Sequence, residues 1–140
     1  MRFVFDANIL MAILISGRSY YKALLESVDV VMPDFALVEI DKYSSVIVAK
    51  TKLDWPAHSQ YADLVFSALT VIPRYLIDSE SVEKANRLIG DTDPKDIIYL
   101  ALALQTGAVL ITRDKPIVEA ARRKGFRRIM LFDEFLRHYS

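Results

Sequence analysis

The stretch DPKDIIYLALALQTGAVLITRD, residues 93–114, decides the fold. Asp93-Pro94 places a capping side chain before a proline at a first helical position. Ile97 to Leu104 is then apolar on every face, so the spacing predicts a central helix, ended at Gly107. Ala108 to Thr112 is a short continuous apolar run and reads as a buried strand. A helix without a polar face, feeding a strand without one, must be covered on all sides. That is the condition of a parallel sheet packed between helices.

The rest of the chain repeats the alternation. Arg2 to Phe5 reads as a strand, Ile9 to Ile15 as a buried helix stopped near Ser16-Gly17, and Ser19 to Glu26 as a second helix. Val28 to Met32 is a strand ended by Pro33, and Asp34 then stands where it can cap a helix reaching about Lys50. Pro56 opens a helix to about Leu69, Thr70 to Ile72 is a short strand, and Ser79 caps a helix that stops at Gly90. Lys115 to Lys124 is a helix stopped at Gly125, Arg128 to Phe132 a last strand, and a short helix closes the chain. The expected fold class is α/β. With no linker, repeat or low-complexity tract, residues 1–140 read as one domain.

Composition narrows the chemistry. Hydrophobic residues make up 53% and charged residues 26%, which excludes a disordered chain. There is no cysteine, so disulfides and thiolate metal sites are excluded, and a reducing cytoplasm suits the chain. His58 and His138 lie far apart, so a metal would need oxygen ligands. The opening apolar run, interrupted by Asp6 and Asn8, is too short to span a bilayer and reads as folded structure. Net charge is zero, yet Arg113 to Arg128 carries seven Lys/Arg against two acids. That run is either solvated surface or a phosphate-facing patch.

Four acids fall in telling places. Asp6 ends the first strand, embedded in VFDANIL, and a buried carboxylate without a partner is costly. Asp114 lies just past the strand ending at Thr112, and Asp96 lies in the first turn of the apolar helix. Glu39, in FALVEID, shares a helix face with Phe35 and Tyr43. Ligands of open parallel sheets bind outside the carboxyl ends of the strands, where Asp6 and Asp114 stand. Each acid also has a plain structural role available, as a cap, a helix-dipole partner or a surface charge. Asp91 and Asp93 could add negative charge near a metal, but turn and capping roles suffice for them. Were the four to converge, they would repel one another unless a cation sat between them.

The ordered set FDANIL, LVEI, DPKDIIYLALAL and LITRDK resembles the PIN-domain ribonucleases, and among them the VapC-like toxins of toxin–antitoxin pairs. One departure is that TRDKPI lacks the aromatic that often follows the fourth acid in those toxins. The resemblance implies a three-layer α/β/α domain around a parallel sheet of about five strands. It implies a cytoplasmic endoribonuclease dependent on Mg²⁺ or Mn²⁺, with Asp6, Glu39, Asp96 and Asp114 as the acidic catalytic and metal-binding cluster. Asp6 and Asp96 are expected as direct ligands, with Glu39 and Asp114 as ligands or partners through water. Asn8 and Thr112 match polar positions that would orient carboxylates or waters. RNA would be the substrate, with Arg113, Lys115, Arg122 and Arg123 the candidate contacts to its backbone. A cognate antitoxin and a second copy of the chain are the implied partners, and the apolar segments ILMAILI and SYYKALL either pack the core or form a groove for them.

Other readings explain less. A phosphoacceptor receiver domain would use Thr112 and Lys115 but leaves Glu39 and Asp96 without a role. A haloacid-dehalogenase-type phosphatase would want Asp where this chain has Asn8, and no GxGxxG or GxxxxGK[ST] motif supports nucleotide binding. PIN relatives that process RNA, or degenerate ones that serve as scaffolds, are the remaining alternatives.

Overall fold

In the computed structural model, which describes residues 1–139, five parallel strands form one sheet in the order β3-β2-β1-β4-β5. The strands are β1 (Arg2–Phe5), β2 (Asp29–Pro33), β3 (Leu69–Ile72), β4 (Val109–Thr112) and β5 (Ile129–Leu131). Helices α1 (Ala7–Ser16) and α2 (Ser19–Ser27) connect β1 to β2, and α3 (Phe35–Lys42), α4 (Ser44–Lys50) and α5 (Trp55–Ser67) connect β2 to β3. Helices α6 (Ser79–Ile89) and α7 (Ile97–Thr106) lead to β4, α8 (Lys115–Arg123) leads to β5, and α9 (Phe132–Tyr139) follows.

This order reverses direction at β1. The chain walks from β1 outward to β2 and β3, then returns across the sheet to β4 and β5 on the other side. Parallel crossovers are right-handed, so the two directions of travel put their helices on opposite faces. Along β1 the side chains alternate accordingly. The rings of Phe3 and Phe5 meet Phe135 edge-on at 5.0 and 5.4 Å, and Tyr21 of α2 stacks on Phe132. Helices α6 and α7 pack together, and α7 lies against β1, β2 and β4. The expected three-layer α/β/α architecture is present, and no helix among the described residues is long and apolar enough to cross a membrane.

The reading of residues 93–114 holds in detail. Asp93 caps the turn, Pro94–Asp96 forms a single 3₁₀ turn, and α7 buries Tyr99, Leu100, Ala101, Leu102 and Ala103. Gly107, at φ 72°, ends α7 with its N–H on the Ala103 carbonyl, a conformation that favours glycine. ILMAILI proves to be mostly core: Ile9, Leu10, Ile13 and Leu14 are buried, while SYYKALL buries Leu24 and Leu25 and exposes Tyr20.

Three local expectations are corrected. The helix expected from Asp34 to Lys50 is two helices, broken at Tyr43, whose φ of −106° and ψ of 16° close α3. Two serines follow there, and serine competes for backbone hydrogen bonds rather than extending a helix. Asp34 does not cap α3, because its own backbone is already helical; its carboxylate accepts from the Arg74 N–H at 3.2 Å instead. Asp78, not Ser79, caps α6, since a cap must be extended and Asp78 has ψ 154° while Ser79 has entered the helix.

Candidate functional site

The reversal of strand order leaves a crevice at the carboxyl ends of β1 and β4, where such sheets bind ligands. Phe5 pairs with Ile111, so Asp6 and Thr112 come next on neighbouring strands at the same end. A cleft of about 730 Å³ opens there, lined by Asp6, Asn8, Glu39, Asp93, Asp96 and Asp114. Met11, Ala12, Ile15, Tyr43 and Val46 form an apolar wall beside them.

Asp6 is the most enclosed of these acids, 4% exposed. Its Oδ1 accepts the Ile9 N–H at 3.0 Å as the cap of α1, and its Oδ2 accepts the Thr112 hydroxyl at 2.7 Å. The same Thr112 oxygen accepts the Asp114 N–H at 3.1 Å, so one buried threonine ties the first strand-end acid to the second. Asp114 also caps α8, with Oδ1 on the Ile117 N–H at 3.3 Å. Burial raises the Asp6 pKa above its ordinary value against the lowering pull of Thr112 and Ile9, and the charges of Glu39 and Asp114 raise it further.

Asp96 differs. Among the described residues its carboxylate accepts no hydrogen bond, and the acids around it are Asp6, Asp93, Asp114 and Glu39. Burial, then those four negative charges, push its pKa up to about 7. Ligand atoms of Asp93, Asp96 and Asp114 all lie within 4.8 Å of one another. Glu39 enters from α3, and its Oε1 accepts the hydroxyl of Tyr99 on α7 at 2.5 Å.

The cleft thus gathers the four acids singled out in the sequence and adds Asp93. In sequence, a capping role suffices for Asp93, with added charge near a metal the alternative. It is a cap, with Oδ1 on the Lys95 N–H at 3.0 Å, but its carboxylate also faces Asp96 and Asp114. The spacing Asp93-x-x-Asp96 across a single tight turn was the available signal. Tyr99 was missed as well, although a tyrosine inside IIYLALAL, three residues after Asp96, needs a partner for its hydroxyl. Asn8 is exposed on the cleft wall, and among the described residues its amide bonds to none of the acids.

The basic run divides. Arg113 lines the cleft and Lys115 a neighbouring depression, whereas Arg122 donates to the Ile129 carbonyl at 3.1 Å and sits 3.7 Å from Glu134. Lys124 reaches the Arg87 carbonyl and Asp91, and Arg123 is exposed on α8. Neither histidine lines the cleft. The donor set is therefore carboxylate oxygen throughout, the chemistry that suits hard divalent cations.

A family model for the PIN domain matches residues 4–130. The chain belongs to the PIN domain family. Members of that family are generally nucleases. Among solved structures, this PIN domain is similar to PAE2754 of Pyrobaculum aerophilum, with a TM-score of 0.66 and 16% identity over 99% of this chain and 95% of that one. It is similar also to a toxin–antitoxin complex from Klebsiella pneumoniae, with a TM-score of 0.56 and 23% identity over 91% of this chain and 94% of that one. At these identities the likeness speaks for the fold. No curated protein matches the chain in sequence.

Proposed function

We propose that this PIN domain is an endoribonuclease that hydrolyses RNA phosphodiester bonds with the help of Mg²⁺ or Mn²⁺. The observation that carries the reading is the meeting of Asp93, Asp96 and Asp114 within 4.8 Å, at the strand ends where Asp6 and Glu39 also line the cleft. Five carboxylates against Arg113 and Lys95 make a strongly negative cleft, one that repels a phosphate backbone unless positive charge is added. Asp96 is the clearest pointer: the charges of four other carboxylates act on it, and it accepts no hydrogen bond among the described residues.

In this reading Asp93, Asp96 and Asp114 would hold the ion, with Asp6 and Glu39 contributing charge and contacts to its water. The chemistry a divalent ion brings to such a site is a water of lowered pKa and relief of the charge developing on the scissile phosphate. The protein's own part is positional. Thr112 fixes Asp6 and the backbone of Asp114 together, so two strand ends present their acids as one unit. Arg113, exposed at the rim, offers a planar guanidinium that can take two phosphate oxygens, and Lys95 offers a point charge. Such contacts hold the backbone without reading base sequence.

We further propose a cytoplasmic toxin partnered by an antitoxin; the Klebsiella neighbour is itself a toxin–antitoxin complex. The surface supports a protein contact: the exposed Phe35, Leu37 and Val38 on α3 line one depression with Ile97 and Ile98, suited to an antitoxin or to a homodimer.

The test is cleavage of a fluorogenic RNA by the purified chain, with Mn²⁺ or Mg²⁺ supplied and then removed by chelation. Cleavage is expected to require the metal and to fall at least about 100-fold in Asp96→Asn. An Asp96→Asn protein that cuts RNA at the wild-type rate would overturn the assignment. Light scattering that finds a strict monomer at all concentrations would remove the homodimer.

A further inference from the structure

Helix α7 carries two side chains that reach the cleft side of the molecule, one turn apart: Asp96 at its start and Tyr99 within it. The Tyr99 ring is 1% exposed and lies 6.4 Å from the ring of Phe35, which stands one helical turn before Glu39 on α3. A buried tyrosine hydroxyl must find an acceptor, and this one finds Glu39 Oε1. Among the described residues Glu39 Oε2 has no protein partner. We propose that Tyr99 is a positioning residue for the cleft: buried on α7 beside Phe35 of α3, it clamps one oxygen of Glu39 and leaves the other for the divalent cation or its water.

The physical case rests on entropy and direction. Glutamate is among the side chains that lose most rotamer freedom when fixed. A glutamate on a half-exposed helix face would have to lose that freedom on binding an ion. Tyr99 removes part of it in advance, because its own ring is buried and lies beside the Phe35 ring. The donor direction is also fixed. The Tyr99 hydroxyl donates and the Glu39 carboxylate oxygen accepts. Tyr99 makes no contact with substrate in this scheme. It acts through Glu39, and it couples α3, which follows β2, to α7, which delivers Asp96.

The inference rests on the reading of the cleft as a metal site, and the experiment separates the two. The metal-free chain is titrated with Mn²⁺ while free Mn²⁺ is followed by electron paramagnetic resonance, for the wild type, Asp96→Asn, Tyr99→Phe, Glu39→Gln and the Tyr99→Phe/Glu39→Gln double variant. Wild type is expected to bind and Asp96→Asn to lose binding. Tyr99→Phe is expected to bind about tenfold more weakly. In the double variant the affinity should equal that of Glu39→Gln alone, because Tyr99 then has nothing to position. A general loosening of the core would weaken binding in both backgrounds. Wild-type affinity in Tyr99→Phe, or a Tyr99 effect that persists beside Glu39→Gln, overturns the inference while leaving the metal site intact. A wild type that binds no Mn²⁺ overturns both.

Discussion

Asp6 and Asp96 line the same cleft and share neighbours, yet the protein treats their charges in opposite ways. Asp6 is answered from within: a helix N-terminus supplies one N–H, and Thr112 supplies a hydroxyl to its other oxygen. Asp96 has no such donor among the described residues and is surrounded by Asp6, Asp93, Asp114 and Glu39. A buried carboxylate that is fully hydrogen-bonded belongs to the folded scaffold. One that meets only like charges is stable as an anion only when something positive arrives from outside. The cleft therefore has a framing half, built around Asp6 and Thr112, and a receptive half, built around Asp93 and Asp96.

That division breaks first at Asp6. Asp6→Ala removes the α1 cap, worth about 1 kcal/mol, and strands the buried Thr112 hydroxyl, which costs about 1–3 kcal/mol more. Relief of a desolvated charge offsets part of this. The net expectation is a metal-free protein less stable by about 2 kcal/mol, read as a lowered urea midpoint with unchanged slope. Asp96→Asn, in the receptive half, should match or exceed wild-type stability without metal at pH 8, since it removes one of several crowded charges. Equal losses in the two variants would erase the distinction.

A smaller effect tests the joint between the strand ends. Thr112 is 1% exposed, and valine fills the same volume without the oxygen. Thr112→Val leaves Asp6 Oδ2 without its donor and the Asp114 N–H without its acceptor. The cost should be about 1 kcal/mol in thermal or urea unfolding. It should also weaken the Mn²⁺-induced rise in melting temperature, because Asp6 and Asp114 lose their shared anchor. Retention of both stability and metal response would show that the strands alone set the spacing of the acids.

How far this arrangement could be read from the chain depends on which half is considered. The framing half is local: Asp6 before an apolar run, and Thr112 and Asp114 at a strand end, are patterns of neighbouring residues. The strands and most helix ends follow from the same kind of signal, as Gly17 and Gly107 do at helix ends. What escaped was set by tertiary context. Asp93 looked sufficiently employed as a cap, and only the approach of Asp114 from β4 gives its carboxylate a second use. The pairing of Tyr99 with Glu39 spans 60 residues and joins two helices. The break at Tyr43 likewise follows no proline or glycine, so the helix reading ran through it.

The receptive half is also tested by its response to pH. The Asp96 pKa is about 7 in the folded chain against an ordinary 3.8. Between those values the folded state holds a proton that the unfolded state has released, so this group favours folding at low pH and the advantage is lost as pH rises through 7. Metal-free wild type should therefore lose melting temperature from pH 5 to pH 8 more steeply than Asp96→Asn. Added Mn²⁺ competes with that same proton, so its stabilising effect should grow over the same interval in wild type and stay flat in the variant. Parallel pH profiles for the two proteins, with and without Mn²⁺, would mean that Asp96 titrates as an ordinary surface acid. The receptive half of the cleft would then have to be placed on Asp93 and Asp114 alone.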